Sequence, residues 1–165
     1  MNIVLVGFMG TGKSAVGRLL AGRLGWSFVD MDAVIEERAG KRIDQIFADE
    51  GEPAFRSREH ALVSELALQD RLVIATGGGV VLNPDHVKAF SRTGRVVCLE
   101  ADPEVLWQRV SASGHRPLLE TPDKRERMLA LLESRQPLYR AIPCRMDTTR
   151  LLPEQVADAV LALIA

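Results

Sequence analysis

The stretch "GFMGTGKS" at residues 7–14 matches G-x-x-x-x-G-K-[ST] in full, follows an apolar run and opens an amphipathic pattern. Glycines let the backbone turn so that successive N–H groups point inward at phosphate oxygens, and a helix starting there adds the positive end of its dipole. Contacts to a nucleoside triphosphate are expected along Gly10, Thr11, Gly12, Lys13, Ser14 and Ala15. Lys13 would reach the β- and γ-phosphates, and the Ser14 hydroxyl would take a coordination position on magnesium. The alternative, a fortuitous Lys-Ser after a Gly-rich turn, is disfavoured by the strand before it and the helix after it.

A magnesium ion in such a cradle needs a carboxylate nearby. The apolar run "RLVIATGGGVV" at 71–81, where that acid often stands at a strand end, stops instead at Thr76. The replacement is "FVDMD" at 28–32, with Asp30 and Asp32 at the C-terminal end of a predicted strand, where open α/β sheets place their ligands. Strand alternation at i, i+2 would point both side chains the same way. A cation, or a proton taken from a substrate, gives two adjacent acids a reason to coexist. One of them would then serve the metal's water shell while the other faces a hydroxyl; the alternative is a solvated strand end with Asp32 capping the next helix. Gly77, Gly78 and Gly79 would let the backbone pass close to a bound small molecule, or else form a plain turn.

The elements that must position these residues alternate along the chain. Short β-branched runs ("NIVLVG", "SFVDM", "RLVIATG", "RVVCLEA", "CRMDTT") are separated by helical patterns, which predicts α/β: a parallel sheet with helices on both faces. Val16, Leu19, Leu20 and Leu24 form one helical stripe, closed by Gly25. Val156, Ala159, Val160, Leu163 and Ile164 form another behind Pro153. Residues 33–69 contain no convincing strand and read as two or three helices broken at Gly40 and around "DEGEP". Residues 111–123, "SASGHRPLLETPD", read as a mobile lid.

At 165 residues the chain fits one domain, 1–165. Lys plus Arg (21) nearly balance Asp plus Glu (22), so no broad electrostatic footprint for nucleic acid exists and local clusters must carry any anion binding. The opening residues lack a basic n-region, and their apolar run is too short to span a bilayer, so a cytoplasmic protein without membrane attachment is expected. Cys98, inside "RVVCLE", reads as a buried reduced thiol, and no disulfide with Cys144 is expected. His60, His86 and His115 lie at no metal spacing and read as surface residues. No apolar interface stripe is apparent, so a monomer is expected.

"GFMGTGKSAVGR", "FVDMD", "IFADEGEPAFRSRE", "TGGGVV", "GHRPLL" and "SRQPLYR", in this order along nearly the whole chain, together resemble the shikimate kinases. The resemblance implies a P-loop fold of the nucleoside-monophosphate kinase type: a three-layer α/β/α arrangement with a five-stranded parallel sheet in the order 2-3-1-4-5, a helical substrate-binding insertion at 33–69 and the lid at 111–123. It implies ATP-dependent phosphorylation of the shikimate 3-hydroxyl with Mg2+, giving shikimate 3-phosphate and ADP for chorismate and aromatic amino acid biosynthesis. Same-fold alternatives are a kinase for gluconate or a nucleoside monophosphate, or a non-catalytic nucleotide-binding module.

Position by position, the resemblance assigns Asp32 to the reacting hydroxyls as candidate base and Asp30 to the metal's water. Arg56 and Arg135 match the pair that grips the shikimate carboxylate, a task that suits planar guanidinium donors. Gly78 matches a backbone contact to the substrate with Gly77 and Gly79 beside it, Phe47 and Phe55 match apolar pocket walls, and Glu59 matches an acid that holds Arg56 and the substrate edge. Arg116 matches a lid arginine that closes over the phosphates, a device worth roughly 10³ to 10⁵ in rate elsewhere. Lys13, Asp32 and Arg116 are thus the catalytic candidates, and Arg109 matches a residue that stacks on adenine. Two departures stand out: Ala15 occupies a position where Thr is common, and Arg150 is followed by two leucines, which leaves the adenine contact near 150–153 unassigned.

Overall fold

The structure, a computed structural model, describes residues 1–112 and 123–165. Strand β1 (Asn2–Gly7) is buried along its whole length, as its unbroken apolar run requires of a strand covered on both faces. It pairs in parallel with β3 (Leu72–Ala75) on one side and β4 (Gly94–Glu100) on the other. Outside these lie β2 (Ser27–Asp30) and β5 (Arg145–Asp147), giving a five-stranded parallel sheet in the order β2-β3-β1-β4-β5. The chain first builds β2 and β3 on one side of β1, then β4 and β5 on the other. The sheet's switch point therefore lies beside the C-terminal end of β1, where ligands of open α/β sheets bind.

Strand alternation in β1 divides the core. Ile3 and Leu5 face a layer made by α1 (Lys13–Leu24) and α8 (Pro153–Ile164), packed through Val16, Leu20, Val156 and Val160. Val4 and Val6 face the opposite layer, which holds α2 (Met31–Ala39), α3 (Ile43–Glu50), α4 (Glu52–Leu66), α5 (Pro84–Thr93), α6 (Pro103–Ala112) and α7 (Lys124–Arg140). Cys98 is buried in that second layer and burial pushes its thiol up to about 12, so it acts as a small apolar side chain.

The insertion after β2 is three helices, with breaks where the glycines predict them. Gly40 ends α2 in the left-handed conformation at φ 69°, and Gly51 separates α3 from α4, whose first turn carries Pro53. The α8 stripe differs from expectation: the buried set is Val156, Ala157 and Val160, while Leu163 is exposed, because the helix turns its small Ala157 toward α1. Of the expected lid, residues 113–122 lie outside the described residues, and Arg116 and His115 with them. Among the described residues no helix is long and apolar enough to cross a membrane.

Candidate active site

The phosphate cradle runs from the end of β1 into α1. Gly7 has φ 146°, and a Cβ there would collide with the Leu99 carbonyl oxygen on the neighbouring strand, so the tight exit from the sheet needs glycine. The loop holds its own shape: the Thr11 hydroxyl donates to Phe8 O at 2.8 Å, and Lys13 Nζ donates to Gly7 O at 2.6 Å and Phe8 O at 3.0 Å. Gly12 caps α1 in the left-handed conformation, and Ala15 is exposed on its first turn. Gly10 is tied to the far side of the sheet, since Arg109 on α6 donates to Gly10 O at 3.1 Å and to the Thr148 hydroxyl and carbonyl at 3.1 and 2.8 Å. Past Thr148, the residues Asp102, Asp147, Thr149, Arg150 and Leu151 line a recess of about 390 Å³.

Thr76 explains why the β3 end carries no acid. It is buried, and both its amide and its hydroxyl donate to Leu5 O, at 3.1 and 2.9 Å, so this position welds β3 to β1. The acid stands one strand further out. Asp30 accepts from the Ser14 hydroxyl at 3.0 Å and from the Ala33 amide at 3.2 Å, which makes it at once the N-cap of α2 and the partner of the cradle's serine. A hydroxyl and a carboxylate side by side at a helix N-terminus are hard oxygen donors of the kind magnesium takes. The expected strand alternation of Asp30 and Asp32 does not hold: β2 ends at Asp30, and Asp32 lies in the first turn of α2. The cap that was an alternative for Asp32 belongs to Asp30.

Gly77, Gly78 and Gly79 bring the distant candidates together. None of the three has a positive φ, so they are not there for an unusual backbone. They are there for room. A Cβ on Gly77 would lie 2.7 Å from Asp32 Oδ1; on Gly78, 3.4 Å from Arg135 Nη1; on Gly79, 2.5 and 2.6 Å from Arg56 Nη1 and Nη2. Helices α2, α4 and α7 thus each lay one functional side chain against one glycine. The same segment meets the cradle, for Gly7 O lies 3.8 Å from the Gly78 Cβ position and accepts from Lys13.

Electrostatics within this cluster are tightly balanced. Glu59 is 1% exposed and accepts from Arg56 Nη1 at 3.1 Å. Burial raises its pKa above the ordinary carboxylate value, with Asp32 adding to the rise and Arg56 and Arg135 opposing it. Glu59 engages only part of the Arg56 guanidinium: among the described residues Nε is buried without a hydrogen-bond partner, with a Glu52 carboxylate oxygen 3.6 Å away. Phe55 is buried and Phe47 partly exposed, with ring centroids 5.1 Å apart, and the Arg56 guanidinium lies 5.1 Å from the Phe55 ring centre.

Two features were missed from sequence. Tyr139, one helical turn after Arg135, is buried and donates to Gly78 O at 2.6 Å; its i+4 spacing in "SRQPLYR" was the available signal. His86 is no surface residue but 3% exposed: its Nδ1 bonds Val80 O at 3.0 Å, and its Nε2 meets His60 Nδ1 at 3.0 Å. Since a carbonyl can only accept, Nδ1 carries the proton and Nε2 accepts from His60. This pair holds the 3-10 turn Val80–Leu82 that follows the glycines.

A model of the shikimate kinase family matches residues 9–165. The chain is 48% identical over 160 residues to the shikimate kinase of Pelotomaculum thermopropionicum, covering 97% of this chain and 93% of that one. It is 51% identical over 153 residues to that of Symbiobacterium thermophilum, covering 91% and 88%. Among solved structures, the shikimate kinase from Acinetobacter baumannii in complex with shikimate superposes with a TM-score of 0.92 at 39% identity, covering 99% of this chain and 92% of that one. Shared sequence over nearly the full length and a shared sheet beneath it lead to one conclusion: the chain belongs to the shikimate kinase family.

Proposed function

We propose that the chain transfers the γ-phosphoryl group of ATP to the 3-hydroxyl of shikimate, on the route to chorismate and the aromatic amino acids, as one cytoplasmic, monomeric kinase domain. The observation that carries this reading is the convergence of Asp32, Arg56 and Arg135 on three consecutive glycines directly beside the phosphate cradle. A ring-shaped acceptor bearing one carboxylate matches that set: two guanidinium groups for the carboxylate and one acid for the reacting hydroxyl.

ATP lies along residues 7–14, its phosphates held by backbone N–H groups and Lys13. The base end points toward Arg109 and the recess at Arg150 and Leu151. Ser14, with Asp30 acting through water, would hold Mg2+, which when bound neutralises phosphate charge. The acceptor's carboxylate sits on Arg56 and Arg135, between the apolar walls of Phe47 and Phe55, with Glu59 fixing Arg56 from behind. Asp32, beside Gly77, orients or deprotonates the 3-hydroxyl, and the Gly78 backbone lines the ring. Because a loose transition state leaves little covalent work for the protein, alignment and charge stabilisation by Lys13 and the lid's Arg116 supply most of the rate.

The test is ADP release with ATP and magnesium in the presence of shikimate, gluconate or AMP in turn. Release is expected with shikimate alone. Faster turnover of gluconate or AMP would transfer the chain to another acceptor, and tight ATP binding with no product from any of the three would make it a nucleotide-binding module.

A further inference from the structure

We propose that Tyr139 is a positioning residue of the acceptor site, locking the Gly78 peptide and the Arg135 guanidinium into one rigid unit through its phenolic oxygen. This rests on the reading of residues 77–79 and Arg135 as acceptor-binding.

The Tyr139 hydroxyl donates to Gly78 O at 2.6 Å, and Arg135 Nη1 and the Tyr139 oxygen flank the same residue, 3.4 and 3.8 Å from the position a Cβ on Gly78 would take. The direction of this chain is forced. A carbonyl has no proton to give, so the phenol O–H donates to Gly78 O, and a guanidinium has no lone pair to offer, so Arg135 can meet the phenol only as a donor. Charge at one end polarises the phenol and strengthens its donation at the other. The phenol stays protonated at any working pH, because burial pushes it up to about 12.

Both partners need an external tether. With no side chains on residues 77–79, steric limits on the backbone torsions there are at their weakest, and ordering such a segment costs the most entropy. Fixing the Gly78 carbonyl fixes the plane of the Gly78–Gly79 peptide, hence the direction of the Gly79 N–H, which in a trans peptide points the opposite way. On the helix side, Pro137 sits inside α7 between Arg135 and Tyr139. It removes one backbone hydrogen bond from the very turn that carries Arg135, and proline at such a place permits a bend. Tyr139 is 2% exposed and packed in the core, so its oxygen is a fixed point to which both loose ends are tied.

Tyr139→Phe keeps the ring and deletes the tether. The expected result is a rise of about tenfold in KM for shikimate, with KM for ATP within about twofold of the parent. In an Arg135→Ala background, the added effect of Tyr139→Phe on shikimate KM is expected to shrink to less than half of its size in the parent. Amide hydrogen exchange of the ligand-free protein gives an independent reading: exchange over 77–80 accelerates several-fold in Tyr139→Phe while the cradle at 7–14 is unchanged. A shikimate KM within twofold of the parent, equal increases in both KM values, an undiminished effect in the Arg135→Ala background, or unchanged exchange at 77–80 would each overturn the proposal. Absence of shikimate turnover in the parent protein, with accelerated exchange in the variant, would instead overturn the functional reading and leave the tether standing.

Discussion

The phosphate cradle and the acceptor cluster meet at the Gly7 carbonyl, yet they are assembled in opposite ways. The cradle is a contiguous loop whose shape is set mainly from within, with Thr11 and Lys13 bonding carbonyls six residues away at most and glycines supplying positive φ at Gly7, Gly10 and Gly12, and with Arg109 adding one distant tie to Gly10 O. The acceptor cluster has no local structure of its own. Asp32, Arg56, Glu59, Arg135 and Tyr139 come from three helices, and what unites them is empty volume beside Gly77, Gly78 and Gly79. Damage to the cradle should therefore be felt in the backbone and in every substrate, whereas damage to the cluster should be felt in one side chain and one substrate.

The largest expected effect divides the two regions by substrate. Asp32→Asn keeps shape and loses the proton acceptor, so kcat should fall by roughly 10² to 10⁴ with ATP affinity unchanged, as read by steady-state kinetics beside direct nucleotide titration. Lys13→Ala should lower kcat by roughly 10² to 10³ and weaken ATP binding as well. Equal loss of ATP affinity in both variants would erase the division.

Next comes the carboxylate grip. Arg135→Ala removes a charge-assisted contact, and the shikimate KM should rise roughly 10- to 100-fold while the ATP KM stays near the parent value. A variant whose kcat falls with an unchanged shikimate KM would place Arg135 on the transferring phosphoryl group instead.

Two alanine substitutions then compare the glycines directly. In Gly7→Ala the new methyl meets backbone, the Leu99 carbonyl, at a φ that L side chains rarely adopt. A stability loss of at least about 1–3 kcal/mol is expected in denaturant unfolding. In Gly79→Ala the atoms nearest the methyl belong to the Arg56 guanidinium, the far end of a long side chain rather than backbone. Stability should change little, and the shikimate KM should rise about tenfold because one grip is displaced. A stability loss in Gly79→Ala as large as in Gly7→Ala would mean that the triple glycine is a backbone device after all.

This same contrast governs how much could be read in advance. Element order, the helical insertion with its breaks, though not whether it holds two helices or three, and the cradle were legible because each rests on neighbours in sequence: an apolar run, a glycine stop, a contiguous motif. The resemblance supplied the strand order, which alternation alone could not. Asp30 and Asp32 were both singled out, but their geometry was misread, because nothing in "FVDMD" marks where strand gives way to helix. Asp30 made that choice by capping α2. The glycines were expected to make room for a ligand; they make room first for three of the chain's own side chains, and no local pattern announces who fills such a space. His86 was misjudged for the same reason, since its burial comes from α4, where its partner His60 lies 26 residues away.

That histidine provides the smallest effect. Burial, the first cause, holds His86 below the usual 6.5; His60 and Arg56 add to the depression, while the Val80 carbonyl and Asp85 oppose it. A depressed folded-state value means that the native protein prefers the neutral imidazole. His86 therefore contributes stability that is present above pH about 6.5 and is lost as the pH falls through its folded value. Glu59 has the opposite sign: its raised value favours the protonated acid, so its contribution is full below the ordinary carboxylate range and lost as pH rises through its folded value. Asn at position 86 can still donate to Val80 O but cannot titrate. Thermal melts of His86→Asn should accordingly show a flatter fall in Tm between pH 7 and 5 than the parent, and Glu59→Gln should make the parent's fall from the mid-range toward acid steeper. Parallel curves for His86→Asn and the parent would mean that the buried His86 imidazole takes up no proton on unfolding, and that the turn behind Gly79 is held by packing alone.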